Sequence, residues 1–290
     1  MKILAIGDFH GKFPEKLKRE AKKADLIISV GDHTGIDAWR KIIFAQLKAI
    51  AVGKTPPKAE EVLGKKKFKE LLQKDFEKGK FVLKELDKLK KKVILIFGNS
   101  DDEWYKYAFD EKVDSFTKRT QTVLKSLKNI KIINYSYTKL NKINFLGFGG
   151  YLDADSYFEK KAMKKISKER QLRIIRRREK SKKKLLSLLS KLKGKKIFVF
   201  HYPPAGVFDI IHDKKDNPMN GKSAGIKFFA EAIKKHKPLF VLCGHMHEYQ
   251  GMKKLYGIPV INPGAAVDGK AALIDFDDEE GKIRNVKFVK

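Results

Sequence analysis

The chain has 290 residues, a 42% apolar content ordinary for a globular protein, and a formal net charge of +30 at pH 7. That length allows one large domain or two small ones with a sizeable core. The charge points to a polyanion, an acidic membrane surface or the lysine-rich usage of hyperthermophiles, while no apolar run approaches the roughly 20 residues needed to span a bilayer.

Taken in order, Lys2–Ile6 is a short apolar run that reads as a buried strand and ends in Gly7-Asp8-Phe9-His10-Gly11. It starts at residue 2 with no basic, then apolar, leader before it, so the expectation is a cytoplasmic protein. Residues 14–23 read as a basic helix returning to a second strand, Leu26–Val30, which ends in Gly31-Asp32 and completes a βαβ unit. Residues 37–50 and 59–92 carry apolar positions at spacings of three and four and read as a helical insertion packed beside the sheet, with Gly79 marking a break or bend. The strand Val93–Phe97 follows and ends in Gly98-Asn99-Ser100-Asp101.

Residues 101–129 read as helix, with Trp104 or Tyr105 close enough to the Asn99 turn to line a pocket. Strands Ile130–Tyr135 and Ile143–Phe148 flank a turn at Asn141, and Gly149-Gly150 lead into Tyr151-Leu152-Asp153 as a pocket edge. A second helical insertion at about 156–196 is intensely basic: residues 160–196 hold 18 Lys or Arg against two Glu. Next comes the strand Ile197–Phe200 with His201-Tyr202-Pro203-Pro204, then a long polar connection through Asp209, His212, Asn217-Pro218 and Gly221 that reads as a site loop. After a helix at 226–236, the strand Leu239–Cys243 ends in Gly244-His245-Met246-His247. Cys243, the single cysteine, excludes an intramolecular disulfide, fits a reducing compartment and reads as a small core residue. Residues 259–262, 271–276 and 283–289 read as closing strands.

In open α/β sheets ligands collect beyond the carboxyl ends of strands, so the five turns share one expected rim. They carry Asp8, His10, Asp32, Asn99, His201, His245 and His247. Nitrogen and oxygen donors without a thiolate suit two borderline divalent ions such as Mn, Fe, Co, Ni or Zn. The glycine beside each ligand is expected to let the backbone turn sharply.

The ordered set Asp8-x-His10, Gly31-Asp32, Gly98-Asn99-x-Asp101, His201 and Gly244-His245-x-His247 resembles the calcineurin-like metallophosphoesterases over residues 1 to about 264. The stretch His201–Gly206 with Asp209, and Ile261-Asn262-Pro263-Gly264, is similar to a branch containing small phosphodiesterases. The resemblance implies a four-layer αββα sandwich forming a single domain over 1–290. It also implies a binuclear centre with Asp8, His10 and His247 on one metal, Asn99, His201 and His245 on the other, and Asp32 bridging. The implied chemistry is phosphoester hydrolysis by a metal-bridging hydroxide, with Mn one of the candidate ions. Asp101 is expected to hydrogen-bond the attacking water or a ligand.

Ser100 stands where many members of that family have a histidine that assists the leaving group. Serine is a poor general acid at neutral pH, which favours diesters with good leaving groups over alkyl monoesters. His212 can stand in for that acid, His33 can reach substrate or be an ordinary hydrogen-bonded histidine, and His236 reads as a surface residue whose protonated form suits a helix C-terminus. The basic segment, centred on Arg173, Arg176, Arg177 and Arg178, reads either as an arm for DNA or RNA phosphates or as a solvated helix. Three functions follow in order: a phosphodiesterase acting on a nucleotide or nucleic-acid diester, a nucleic-acid-binding module with a weak metal site, and a phosphomonoesterase. The apolar faces of 37–92 leave the oligomeric state open.

Overall fold

A computed structural model describes residues 1–51, 54, 56–101, 116–154, 167–212 and 219–290. Its strands in chain order are β1 Lys2–Ile6, β2 Leu26–Ser29, β3 Lys92–Leu95, β4 Ile130–Ile132, β5 Ser136–Leu140, β6 Ile143–Phe148, β7 Lys196–Phe200, β8 Val241–Leu242, β9 Gly251–Leu255, β10 Ile258–Asn262, β11 Ala271–Asp277 and β12 Lys282–Val289. They form two six-stranded sheets, ordered β12-β11-β1-β2-β3-β4 and β5-β6-β7-β8-β10-β9. In the first sheet β1, β2, β3 and the edge strand β4 are parallel, and β11 and β12 add antiparallel on the other side; in the second the four central strands are parallel, and β5 and β9 add antiparallel at the edges.

The apolar runs explain why the sheets stack. Alternate residues of a strand face opposite sides, so a strand apolar at every position must be covered on both. Ile3, Ala5, Ile28 and Ile94 of the first sheet meet Phe145, Ile197, Val199 and Leu242 of the second in one buried cluster. Leu4, Ile6, Ile27 and Leu95 face the other way, onto Leu17, Phe76, Leu83 and Leu86 from helices. On the far side Phe148, Phe198 and Phe200 pack against Leu185, Leu189, Phe229 and Ile233. The result is the expected four-layer αββα sandwich, and each fully buried aliphatic or aromatic side chain contributes on the order of 1.5–3 kcal/mol.

Several expected elements are redrawn. The long helix of 59–92 breaks at Gly64, where φ is 76°, and not at Gly79, giving helices Ala59–Leu63 and Lys65–Lys88. Ile130–Ile132 joins the first sheet, and the hairpin around Asn141 is made by β5 and β6 in the second. An outlying pair of short strands cannot be assigned to a sheet from alternation alone, because both sheets offer apolar neighbours. Of the helix expected at 101–129, Phe116–Arg119 and Gln121–Ser126 are helical. Trp104, Tyr105, Asn217-Pro218 and residues 156–166 lie outside the described residues. No helix among the described residues is long and apolar enough to cross a membrane.

The helices of residues 37–92 pack on the first sheet, and Lys65–Lys88 also backs the turn that follows Asp32. Asp75 is fully buried and accepts hydrogen bonds from the backbone N–H of Asp37 at 3.2 Å and Ala38 at 3.0 Å. It therefore satisfies the first amides of the helix Asp37–Ala51 from outside that helix. Gly35 N–H donates to the Asp75 carbonyl at 3.1 Å, which fixes the loop that follows Asp32. One helical turn further on, a Cβ at Gly79 would stand 2.9 Å from the Phe116 ring and 3.0 Å from Thr34 Cα. At an exposed helical site Gly→Ala stabilises by about 1 kcal/mol. At position 79 the sign reverses: Gly79→Ala should lower the stability by about 1–3 kcal/mol in urea titrations.

Candidate metal centre

The five turns meet at the carboxyl ends of β1, β2, β3, β7 and β8, as the strand-end rule requires. Backbone bonds tie them together. Asp8 N–H donates to the Gly31 carbonyl at 2.8 Å, the N–H groups of Phe9 and His10 donate to the Asp32 carbonyl at 2.8 and 3.0 Å, and Gly244 N–H donates to the His201 carbonyl at 2.9 Å. The sharp turning falls on the ligands themselves: Asp8, His10, Asp32 and His245 have φ of 54°, 44°, 57° and 69°. This left-handed region costs a non-glycine residue on the order of 1 kcal/mol, least for Asp, Asn and His. The expectation that neighbouring glycines supply the turn holds in part: Gly11 beside His10 and Gly31 beside Asp32 have φ of 79° and 108°, while the turns at Asp8 and His245 bend at the ligand. Gly98 supplies space instead, because a Cβ there would stand 2.6 Å from Asp32 N, and one at Gly244 would stand 2.6 Å from Asp8 Oδ2.

Six of the seven expected donors form two adjacent groups, and the seventh, Asn99, touches the second. Asp8, His10 and His247 form one and Asp32, His201 and His245 the other, each with ligand atoms within 4.8 Å of one another. Asp32 Oδ2 lies 3.6 Å from His201 Nε2 and 3.9 Å from His10 Nε2, so one carboxylate faces both groups. Asn99 Oδ1 lies 2.8 Å from His201 Nε2 and 2.8 Å from His245 Nδ1. His10 Nε2 and His247 Nε2 are 2.9 Å apart. His247 is the ligand most open to solvent, with 32% of its side chain exposed, and marks the mouth.

The donor chemistry fits divalent cations. His201 Nδ1–H donates to the Val30 carbonyl at 2.8 Å, which fixes the ring so that, in the tautomer with Nε2 unprotonated, the Nε2 lone pair is aimed at Asn99 and Asp32 oxygens. Lone pairs facing lone pairs repel unless a cation sits among them. Burial, assisted by the nearby charge of His247, pushes His10 down to about 3. Burial likewise holds His245 well below its ordinary value, so both rings keep free lone pairs. For Asp32, burial pushes the carboxyl up to about 6, against the attraction of His201. Burial works against ionisation of Asp8 too, but its hydrogen bond to His247 and the surrounding histidine charges outweigh it, and the group lies below the carboxylate range.

Around the donors, Asp101 is fully buried and committed. Its Oδ1 accepts from His33 N–H at 2.8 Å and Thr34 N–H at 2.9 Å, while Oδ2 accepts from His33 Nδ1 at 2.8 Å and Gly98 N–H at 3.0 Å. No acceptor position is left for an attacking water, so the expected direct role is corrected: Asp101 fastens the Asn99 turn to the Asp32 turn. His33 is equally buried, with Nε2 2.8 Å from Ser29 Oγ, and is the ordinary hydrogen-bonded histidine of the two alternatives. Ser100 is buried, its N–H donates to Asp32 Oδ1 at 2.9 Å, and its Oγ has no hydrogen-bond partner. Tyr202 packs on the imidazoles, its ring centroid 4.0 Å from that of His245 and 5.4 Å from that of His201.

The other expected contacts divide. His212 is exposed, and its N–H donates to Glu248 Oε1 at 3.1 Å, one residue beyond His247. Arg173 and Arg176 are exposed on the helix Lys168–Leu189. Arg177 is not free for a ligand: its Nε donates to Asp153 Oδ2 at 2.7 Å and its other nitrogen to Oδ1 at 2.7 Å, with the guanidinium over Tyr151. His236 is half-buried, and burial with Lys196 and Lys235 lowers its pKa, which opposes the charged helix-end role expected for it. Cys243 is a fully buried core residue, as expected. Sequence reasoning missed Asp75, and it placed Asp153 at a pocket edge without its pairing to Arg177. The signal for Asp75 was a carboxylate on the apolar stripe Leu72, Asp75, Phe76, Gly79, where a charge must be buried and therefore partnered. Asp153 gave no such signal.

Asp101→Asn keeps the shape but turns an amide NH2 toward one pair of N–H donors. It should cost about 1–3 kcal/mol in the metal-free protein, and equilibrium dialysis should show weaker retention of Mn because the two turns lose register.

A model of the metallophosphoesterases of the calcineurin superfamily matches residues 1–286. The chain is 25% identical over 297 residues to the uncharacterized protein MJ1162 of Methanocaldococcus jannaschii, covering 97% of this chain and 98% of that one. One solved structure superimposes with a TM-score of 0.65 at 20% identity, over 100% of this chain and 99% of its own. That of TT1561 of Thermus thermophilus gives 0.54 at 16% identity, again over 100% and 99%. These structures share the fold. The chain belongs to the calcineurin superfamily of metallophosphoesterases.

Proposed function

We propose that the protein is a phosphodiesterase with a binuclear divalent metal centre, acting on nucleotide or nucleic-acid diesters, and that residues 1–290 form its single domain. The carrying observation is the convergence of six oxygen and nitrogen donors in two groups, with Asn99 touching the second and Asp32 facing both. In this reading Asp8, His10 and His247 hold one ion, Asn99, His201 and His245 hold the other, and Asp32 bridges them. When bound, Mn, Fe, Co, Ni or Zn would polarise phosphoryl oxygens and lower the pKa of a water toward neutrality.

The chain's own groups do the rest. Asp101 and Ser100 N–H set the Asp32 and Asn99 turns, and Tyr202 sets the imidazole of His245. Ser100 favours diesters: its hydroxyl is buried and non-titrating, so that position cannot protonate a departing alkoxide. His212, the one exposed histidine, is our candidate for that proton at the mouth. A phosphomonoesterase ranks below this reading for the same reason. A pure nucleic-acid-binding module ranks lower still, because four ligands occupy left-handed conformations that a scaffold without ions has no use for.

With Mn, Co, Ni or Zn supplied, bis(p-nitrophenyl) phosphate should be hydrolysed at least about tenfold faster than p-nitrophenyl phosphate. Asp32→Asn should lower the diester rate by about 100-fold or more. Equal rates on the two esters would remove the diester preference, and no hydrolysis with any ion would remove the enzyme.

A further inference from the structure

The helix Lys168–Leu189 carries much of the chain's excess charge, and the structure sorts its residues by use. Ile174, Leu185, Leu188 and Leu189 are buried in the outer core. Arg177 is spent on Asp153, and Lys182 pairs with Glu231 at 3.2 Å. Arg176, Lys180, Lys183 and Lys184 are exposed and form no ion pair among the described residues. At about 100° per residue these four fall on one face, opposite the buried one, and span about 12 Å along the axis. That length lets the four cations meet several successive phosphates of one strand. Along one flank of this basic stripe, at the same helical spacing, Leu172, Ile175 and Leu186 are exposed.

The helix is also registered to the metal centre. Asp153, which Arg177 grips, follows the last residue of β6 by five positions, and between them Gly150 N–H donates at 2.7 Å to the carbonyl of Phe97, two residues before Asn99. We propose that this face is a docking track for single-stranded nucleic acid, whose phosphates lie along Arg176, Lys180, Lys183 and Lys184 while its bases cover Leu172, Ile175 and Leu186. A duplex hides its apolar base faces, whereas a single strand offers charge and apolar surface side by side, as this helix does. The identity of the bond cleaved rests on the phosphodiesterase reading; the track itself does not.

The test compares the protein with a variant carrying Lys180→Glu, Lys183→Glu and Lys184→Glu, and with its charge-conserving counterpart Lys180→Arg, Lys183→Arg and Lys184→Arg. All three exposed positions lie off the core, and circular dichroism with a thermal melt checks that each variant folds. Binding of a fluorescent oligothymidylate is measured over a series of salt concentrations. The reversal should weaken binding at least about tenfold and flatten the log–log salt slope by about 2, close to 0.7 for each of three phosphates lost, while the Arg variant binds as the parent does. With Mn present, oligonucleotide cleavage should fall at least about tenfold relative to hydrolysis of bis(p-nitrophenyl) phosphate, which has no strand to lay along the helix. Unaltered binding in the reversal variant would overturn the track. So would binding to phosphatidylserine vesicles with none to the oligonucleotide, which would assign the face to a membrane. If the small diester is not hydrolysed but oligonucleotide binding still follows the lysines, the track stands and the catalytic reading falls.

Discussion

Seven donor groups crowd one rim of this protein, and among the described residues no lysine or arginine pairs with them; the rest of the structure holds that crowding in place. Four of the donors sit in left-handed turns that set them closer than ordinary strand ends could. Backbone bonds lash the Asp8 turn to the Asp32 turn, and His245 N–H donates to both Asp8 oxygens at 3.1 Å. Asp101 joins the Asn99 turn to the residues after Asp32. Each bond adds little by itself, since a net hydrogen bond contributes about 1 kcal/mol, but together they hold an arrangement that would otherwise spring apart.

Behind the rim, the two sheets and the first helical insertion share the work. The sheets supply rigid strand ends, set by interdigitated aliphatic and aromatic side chains between them. The helix Lys65–Lys88 supplies the backing, through Asp75 below the 35–38 loop and Gly79 against Thr34. An insertion that looks like an accessory from its lysine-rich composition is thus part of the foundation of the candidate metal centre.

Much of this was legible in the sequence, because apolar runs ending in Gly-Asp, Gly-Asn or Gly-His record both a buried strand and a donor at its end. All seven donors, the sandwich and the core role of Cys243 could be read that way. What could not be read depends on who packs against whom. Asp101 follows a ligand and reads as chemical, yet four donors from three residues consume it. Arg177 reads as one cation among many, yet a carboxylate 24 residues away claims it. β4 and β5 are adjacent in the chain and lie in different sheets, a choice that local propensity does not encode.

The donors are also far apart along the chain: His10 and His247, whose ring nitrogens lie 2.9 Å apart, are separated by 237 residues. Their meeting needs both sheets built and stacked, so the centre is completed late in folding, after the loop-closure entropy of nearly the whole chain has been met. An ion binding there arrives too late to guide the chain to its fold. It acts instead as a lock on the finished molecule, slowing unfolding far more than it speeds folding.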